Sequence, residues 1–223
     1  MSGRSVFMDS SAVLTPSEIE LLSVFRERQA VLFGNVTRTL SEGASESFSV
    51  LEHLFRRALE ANVEVGNFVI QVQDRRAWLG LRPTHRVVIR ANGSSYDWPE
   101  PSLEASLASM VSSYPGQVRE ITLTDLIAAW FADRAIKHFQ AGVRWVYDAL
   151  TERGWVDRKM QSRLGLFQVF QYSLPDGLNN RIRNYVNGSK KIHKSRSNLH
   201  SDQVDFILLR DLDRSLRRVN PKL

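Results

Sequence analysis

The sequence predicts a mainly α protein with a small β-hairpin, its helical core organised around a long central helix and followed by a mobile, basic C-terminal extension. Three observations carry this reading. Apolar residues recur at three- and four-residue steps through most of the chain, the period of a helix with one buried face. The period shortens to two near residues 68–98, around an Asn-Gly pair. Charge is also partitioned: residues 1–180 hold 19 Lys and Arg against 20 Asp and Glu, whereas residues 181–223 hold 11 against 4.

Taken in order, residues 1–14 are small and polar with isolated apolar positions, and read as a flexible N-terminal arm. A mostly helical globular domain is expected over 15–187. Thr15-Pro16-Ser17-Glu18 is a helix start, with a capping hydroxyl, a proline in the first turn and a glutamate able to reach back to the cap. That helix carries Ile19, Leu22, Phe25 and Leu32 and is expected to stop near Gly34. A second amphipathic helix, from about Glu46 to Asn62, carries Phe48, Leu51, Phe55, Ala58 and Leu59.

Phe68–Val72 and Arg86–Arg90 then read as strands. Asn92-Gly93 suggests a hairpin returning through Ser94–Trp98, since both central residues of that turn need positive φ. A short helix follows from about Ser102 to Ser112.

The central helix is expected over Thr122–Trp155. Thr122 and Asp125 make a capping box, and Gly154 sits where helices end in a left-handed residue. Leu123, Leu126, Ile127, Trp130, Phe131, Ala135, Phe139, Val143, Val146, Tyr147 and Leu150 form its apolar stripe. Trp145 lies off that stripe, free for a second contact, and Lys137 and Arg144 fall seven residues apart on a side that supports a groove.

Arg163–Tyr172 is a dense apolar segment, helix or strand. Leu178–Val186 reads as a short basic helix, 188–200 as a basic linker, and 201–223 as a C-terminal amphipathic helix that packs on its own core or docks on a neighbour.

The chain has no cysteine, which removes disulfides, thiolate catalysis and cysteine-held metal sites together. Its five histidines, at 53, 85, 138, 193 and 200, show no HExxH or other ligand spacing, and His138 reads as structural. No GxSxG, GxxxxGK[ST] or GxGxxG occurs, so no enzyme, cofactor or metal is expected. No apolar run approaches the roughly 20 residues that cross a bilayer, and the N-terminus has no apolar signal core, so a cytoplasmic location without membrane insertion is expected.

Two basic groups remain. Arg75, Arg76, Arg82, Arg86 and Arg90 surround Trp78 near the hairpin, where arginines face phosphates and an indole stacks on a base, or else simply keep a sheet face solvated. Arg181, Arg183, Lys190, Lys191, Lys194 and Arg196, with Tyr185 and His193 among them, form a basic run that neutralises phosphates without sequence preference; the alternatives are a solvated linker or a localisation signal.

Thr122-Leu123, then Trp130, a glycine-containing turn, Arg158 and Leu166-Phe167-Gln168-Val169-Phe170 follow one another in an order that resembles the coat proteins of flexible filamentous plant viruses. The likeness covers about fifty residues. It implies a helical protein that coats single-stranded RNA, with arms linking adjacent subunits and a virion location. Thr124 and Gln168 stand where that family carries an arginine and a buried aspartate.

The expected function is therefore non-enzymatic nucleic-acid binding, RNA favoured over DNA, with self-assembly into a homo-oligomer through the N-terminal arm or the C-terminal helix. A winged-helix DNA-binding or adaptor module and a scaffold whose basic tail binds an acidic partner or membrane surface are the alternatives.

Overall fold

Local capping chemistry starts and stops most of the helices. The structure, a computed structural model, describes residues 13–25, 30–34, 42–75, 84–93, 96–114, 120–163, 167–175 and 202–219. Helix α1 (Pro16–Phe25) begins as its sequence demands: the Glu18 carboxylate accepts the Thr15 backbone N–H at 2.9 Å. It ends nine residues before the expected stop at Gly34. Residues Ala30–Gly34 form strand β1 instead. A short apolar run fits either state, and here a distant partner strand takes it.

Helix α2 (Glu42–Glu64) is the hub of the core, packing against α1 and four other elements. Leu51, Leu54, Phe55, Ala58, Leu59 and Ala61 are all buried along it. Its end has Gly66 at φ +80°. There the Asn67 N–H reaches back to the Asn62 carbonyl and the Gly66 N–H to Val63, a left-handed cap.

Strands β2 (Phe68–Arg75) and β3 (Thr84–Ala91) pair antiparallel, Ile70 opposite Ile89 and Gln73 opposite Arg86. Tyr96–Trp98, the described part of the expected return after Asn92-Gly93, form no strand. The hairpin is β2–β3, and the segment beyond it is tied down by buried amides. Asn67 accepts the Tyr96 N–H at 2.6 Å and donates to Asn62 at 2.9 Å, while Asn62 accepts the Trp98 indole N–H at 2.9 Å. Side-chain amides thus hold the 96–98 segment in place of strand pairing.

Helix α3 (Leu103–Ser113) starts at Ser102, whose hydroxyl caps the Ala105 N–H. Strand β4 (Glu120–Thr122) adds to the free edge of β3, Ile121 opposite Ile89.

The expected single helix from Thr122 to Trp155 is two helices, α4 (Leu123–Asp133) and α5 (Phe139–Glu152). Both of its expected ends hold. Thr122 and Asp125 bond reciprocally, and Gly154 takes φ +75° with the Trp155 N–H returning to Leu150. Between them Ala135 adopts φ +50°, the Ile136 N–H bonds the Phe131 carbonyl at 2.9 Å, and the Ala135 N–H bonds Ala132 at 3.1 Å. This is the same left-handed cap as at Gly66 and Gly154, built on an alanine that leaves no glycine signal. His138 restarts the helix, its Nδ1 accepting the Ala141 N–H at 3.1 Å. Gly142 of α5 then comes so close to α2 that a Cβ there would lie 2.9 Å from Leu51 Cδ2.

Strands β5 (Asp157–Arg163) and β6 (Phe167–Ser173) form a second antiparallel sheet with β1, in the order β1-β6-β5. Of the apolar segment 163–172, Arg163 closes β5 and residues 167–172 fall in β6, so its described part is strand; residues 164–166 lie outside the described residues. Helix α6 (Asp202–Val219) buries Ile207, Leu208, Leu212 and Leu216 and packs against α4, α2 and β3. Its Ser215 hydroxyl lies 2.8 Å from that of Thr124.

Among the described residues the architecture is mostly helical, with two three-stranded antiparallel sheets where one hairpin was expected. Its centre is α2, not the 122–155 segment. Of the expected arm over 1–14 only Val13 and Leu14 are described, and both are tied to the core: Leu14 is buried and the Val13 carbonyl accepts from Arg153. The expected short helix at 178–186 and the basic linker at 188–200 lie outside the described residues.

Candidate nucleic-acid interface

The arginines expected around the first hairpin are only partly brought together. Arg75 ends β2 opposite Thr84, while Arg76, Trp78 and Arg82 lie outside the described residues. Arg86 and Arg90 share one face of β3 by strand alternation. They do not make an open cationic stripe. Val88 between them is buried, and Arg90 is paired to Glu120 across the β3–β4 ladder, its Nε 2.7 Å from Oε1. Arg86 is half-buried, with its Nε lacking a hydrogen-bond partner among the described residues. Helix α6 also closes in, Asp211 accepting the Val87 N–H at 3.3 Å. Arg181, Arg183, Tyr185, Lys190, Lys191, Lys194 and Arg196 lie outside the described residues and remain a reading of the sequence.

A different basic group does converge. Arg144 lies on α5, Arg158 opens β5 just after the Gly154 turn, and Phe170 sits in β6. The β5–β6 register sets Arg158 opposite Tyr172 and Met160 opposite Phe170 on one face of the ribbon. Both guanidiniums approach the Phe170 ring, with Cζ at 5.5 Å from its centroid for Arg144 and 5.6 Å for Arg158. Arg158 Nη1 donates to Asp148 at 2.8 Å, and the same carboxylate oxygen accepts the Tyr172 hydroxyl at 2.6 Å.

These contacts shift two protonation equilibria. The hydrogen bond to Asp148 strengthens the hold of Arg158 on its proton. Burial, reinforced by Asp148, raises the Tyr172 phenol well above its ordinary value. Arg144, by contrast, has no hydrogen-bond or ion-pair partner among the described residues. Burial, with the Arg144 charge adding to the effect, lowers the pKa of His138.

Every residue from Asp157 to Ser162 is exposed, including Lys159 and Met160, the latter at 62 %. Sequence reasoning missed β5 because DRKMQSR has no apolar alternation. Only its pairing with β6 makes it a strand, and only that pairing carries Arg158 to the ring below Arg144.

A cavity of about 510 Å³ opens between α3 and the α4–α5 turn. Arg134 lies over the rings of Trp130 and Trp145, at 5.2 and 4.7 Å, and donates to Asp133 and Ser106. Trp145 is therefore not free for a second contact, as expected from its place off the stripe, but already engaged with Trp130 and Arg134. The cavity also carries Glu100 and Glu152, so its rim repels a phosphate backbone. Nor do Lys137 and Arg144 share a helix side: Lys137 lies in the turn before α5.

The order α4, α5, hairpin is the order of a helix-turn-helix and wing, but it occurs at β5–β6 rather than at Asn92-Gly93. Along α5 only Glu152 is fully exposed, so that helix has no free face to place in a groove. Among the described residues no group of His, Asp and Glu could hold a metal ion, and no helix is long and apolar enough to cross a membrane. Comparison with protein-family models, with curated proteins and with solved structures returned no match.

Proposed function

We propose that this chain is a non-enzymatic nucleic-acid-binding protein, favouring RNA over DNA, that self-assembles in the manner of a coat or nucleocapsid protein in the cytoplasm or a virion. The observation that carries the reading is the charge partition: 11 Lys and Arg against 4 Asp and Glu in residues 181–223, on a chain otherwise near neutrality. Cations concentrated in this way neutralise backbone phosphates and release their counterions, which supplies affinity without sequence preference. Arg144 and Arg158 at Phe170 support the same reading from within the fold.

Self-assembly rests on the N-terminal arm in this proposal. Helix α6, the other expected connector, spends Ile207, Leu208, Leu212 and Leu216 on its own chain and leaves Phe206 exposed. Filter binding of single-stranded RNA across a salt series tests the function. The expected result is affinity that falls steeply with salt; no binding at low salt, or binding without a salt slope, rejects it.

A second reading is attachment to an anionic surface. One observation favours it: exposed Met160 stands beside Arg158 and Lys159 on an outer strand, an apolar side chain flanked by cations. Retention on anionic vesicles with no affinity for RNA would select it.

A further inference from the structure

We infer that Arg144, Arg158 and Phe170 form a platform for an unpaired nucleotide, on which a base stacks while its phosphate meets a guanidinium. The inference rests on the nucleic-acid reading above and adds a site that the linear charge pattern does not contain.

The two arginines are held differently, and the difference assigns their roles. Arg158 is anchored by Asp148, which is itself bonded by the Tyr172 hydroxyl, and this holds its guanidinium beside the Phe170 ring. A guanidinium held in one place beside an aromatic ring is a stacking surface for a base. Arg144 reaches the same ring from α5 with no carboxylate partner among the described residues, so its charge is available to a phosphate. Met160, opposite Phe170 in the register and 62 % exposed, extends the apolar part of the surface along the same face. The acidic neighbours do not cancel the site. Asp148 is engaged by Arg158 and Tyr172, and Asp157 pairs with Ser173 on the opposite face of the ribbon.

The geometry favours single strands over duplex. A ring with two guanidiniums on a β ribbon offers a base face one partner at a time, whereas a duplex hides its base faces and is read by an element inserted in a groove. The adjacent helix α5 is half-covered along its outer side, Arg144 included, and has only Glu152 fully exposed, so it offers no free face to insert in a groove.

The test uses the full chain, a fluorescent oligouridine, an RNA duplex of equal length and vesicles containing phosphatidylserine. Arg144→Gln is expected to weaken oligouridine binding about tenfold and to flatten the salt slope by about 0.7, one single-strand phosphate contact. Arg144→Lys, which keeps the charge, is expected to restore most of that slope. Phe170→Leu should weaken binding several-fold with the slope unchanged, and the two Arg144 variants carry the test if that protein does not fold.

Oligouridine binding unchanged in Arg144→Gln, with binding lost on charge reversal at Lys190, Lys191 and Lys194, overturns the platform and leaves the nucleic-acid function standing. Equal affinity for duplex also overturns it, as does an Arg144→Gln defect confined to vesicles. Failure of the unmodified chain to bind any nucleic acid removes both the function and the platform.

Discussion

Replacing Arg153 by Met should unfold this protein more easily at pH 8 than at pH 5, because Arg153 is the cation beside two buried carboxylates. Its side chain is 2 % exposed and that of Glu18 is 0 % exposed. One guanidinium nitrogen donates to Glu18 and the other to the Val13 carbonyl, binding the start of α1 to the end of α5. Glu104, equally buried, accepts the Ser17 N–H at 2.8 Å and the Ser17 hydroxyl at 2.9 Å, binding α1 to α3.

Burial raises Glu18 from 4.5 to about 7, with Arg153 opposing the rise and Glu104 adding to it. Burial raises Glu104 as well. A carboxyl whose folded pKa lies above its unfolded value stabilises the fold fully below the unfolded value and loses that contribution as pH rises through the folded one. For Glu18 the window runs from 4.5 to about 7, and at about 1.36 kcal/mol per pH unit it spans up to roughly 3 kcal/mol.

Arg153→Met leaves a buried carboxylate without its cation, a loss of about 3–5 kcal/mol at pH 8. Near pH 5 Glu18 is protonated and the loss shrinks. Urea denaturation followed by tryptophan fluorescence at the two pH values measures it, and adding Glu18→Gln should recover more than half of the pH 8 loss. A cost below about 1 kcal/mol at pH 8, or the same cost at both pH values, refutes the account.

Two smaller effects follow from the break between α4 and α5. Ala135→Gly should raise stability by about 0.5–1 kcal/mol in thermal melts, since glycine relieves the left-handed strain at φ +50° but gains freedom in the unfolded chain; destabilisation would show that the cap is not formed. His138→Asn should keep its cap in acid, whereas His138 loses the Nδ1 acceptor on protonation. Because burial and Arg144 depress the His138 pKa below 6.5, the native cap is present above that value and lost as pH falls through and below it. The stability gap in favour of Asn should widen by up to about 1 kcal/mol between pH 7.5 and 5, a direction opposite to that of the Glu18 cluster.

By itself the sequence determined what depends on a few neighbouring residues. The start of α1 at Thr15–Glu18, the Thr122 cap, the left-handed end at Gly154 and the C-terminal amphipathic helix were all legible, because each is a side chain bonding nearby backbone, a glycine free to take positive φ, or a helical apolar stripe. The charge partition was equally plain.

Tertiary structure decided the rest. Ala135 broke the expected central helix without a glycine, and apolar periodicity ran on across the break because Phe131, Ile136 and Phe139 all pack into the same core. Ala30–Gly34 and Asp157–Arg163 became strands only because β6 lies between them, a pairing over more than 130 residues for β1. Of the expected hairpin arginines, Arg86 is half-buried and Arg90 is neutralised by Glu120, a partner thirty residues away. The Arg144–Phe170–Arg158 group has no linear signature for the same reason. Its members meet through a helix end, a turn and a strand register, and register is set by contacts that the local chain does not contain.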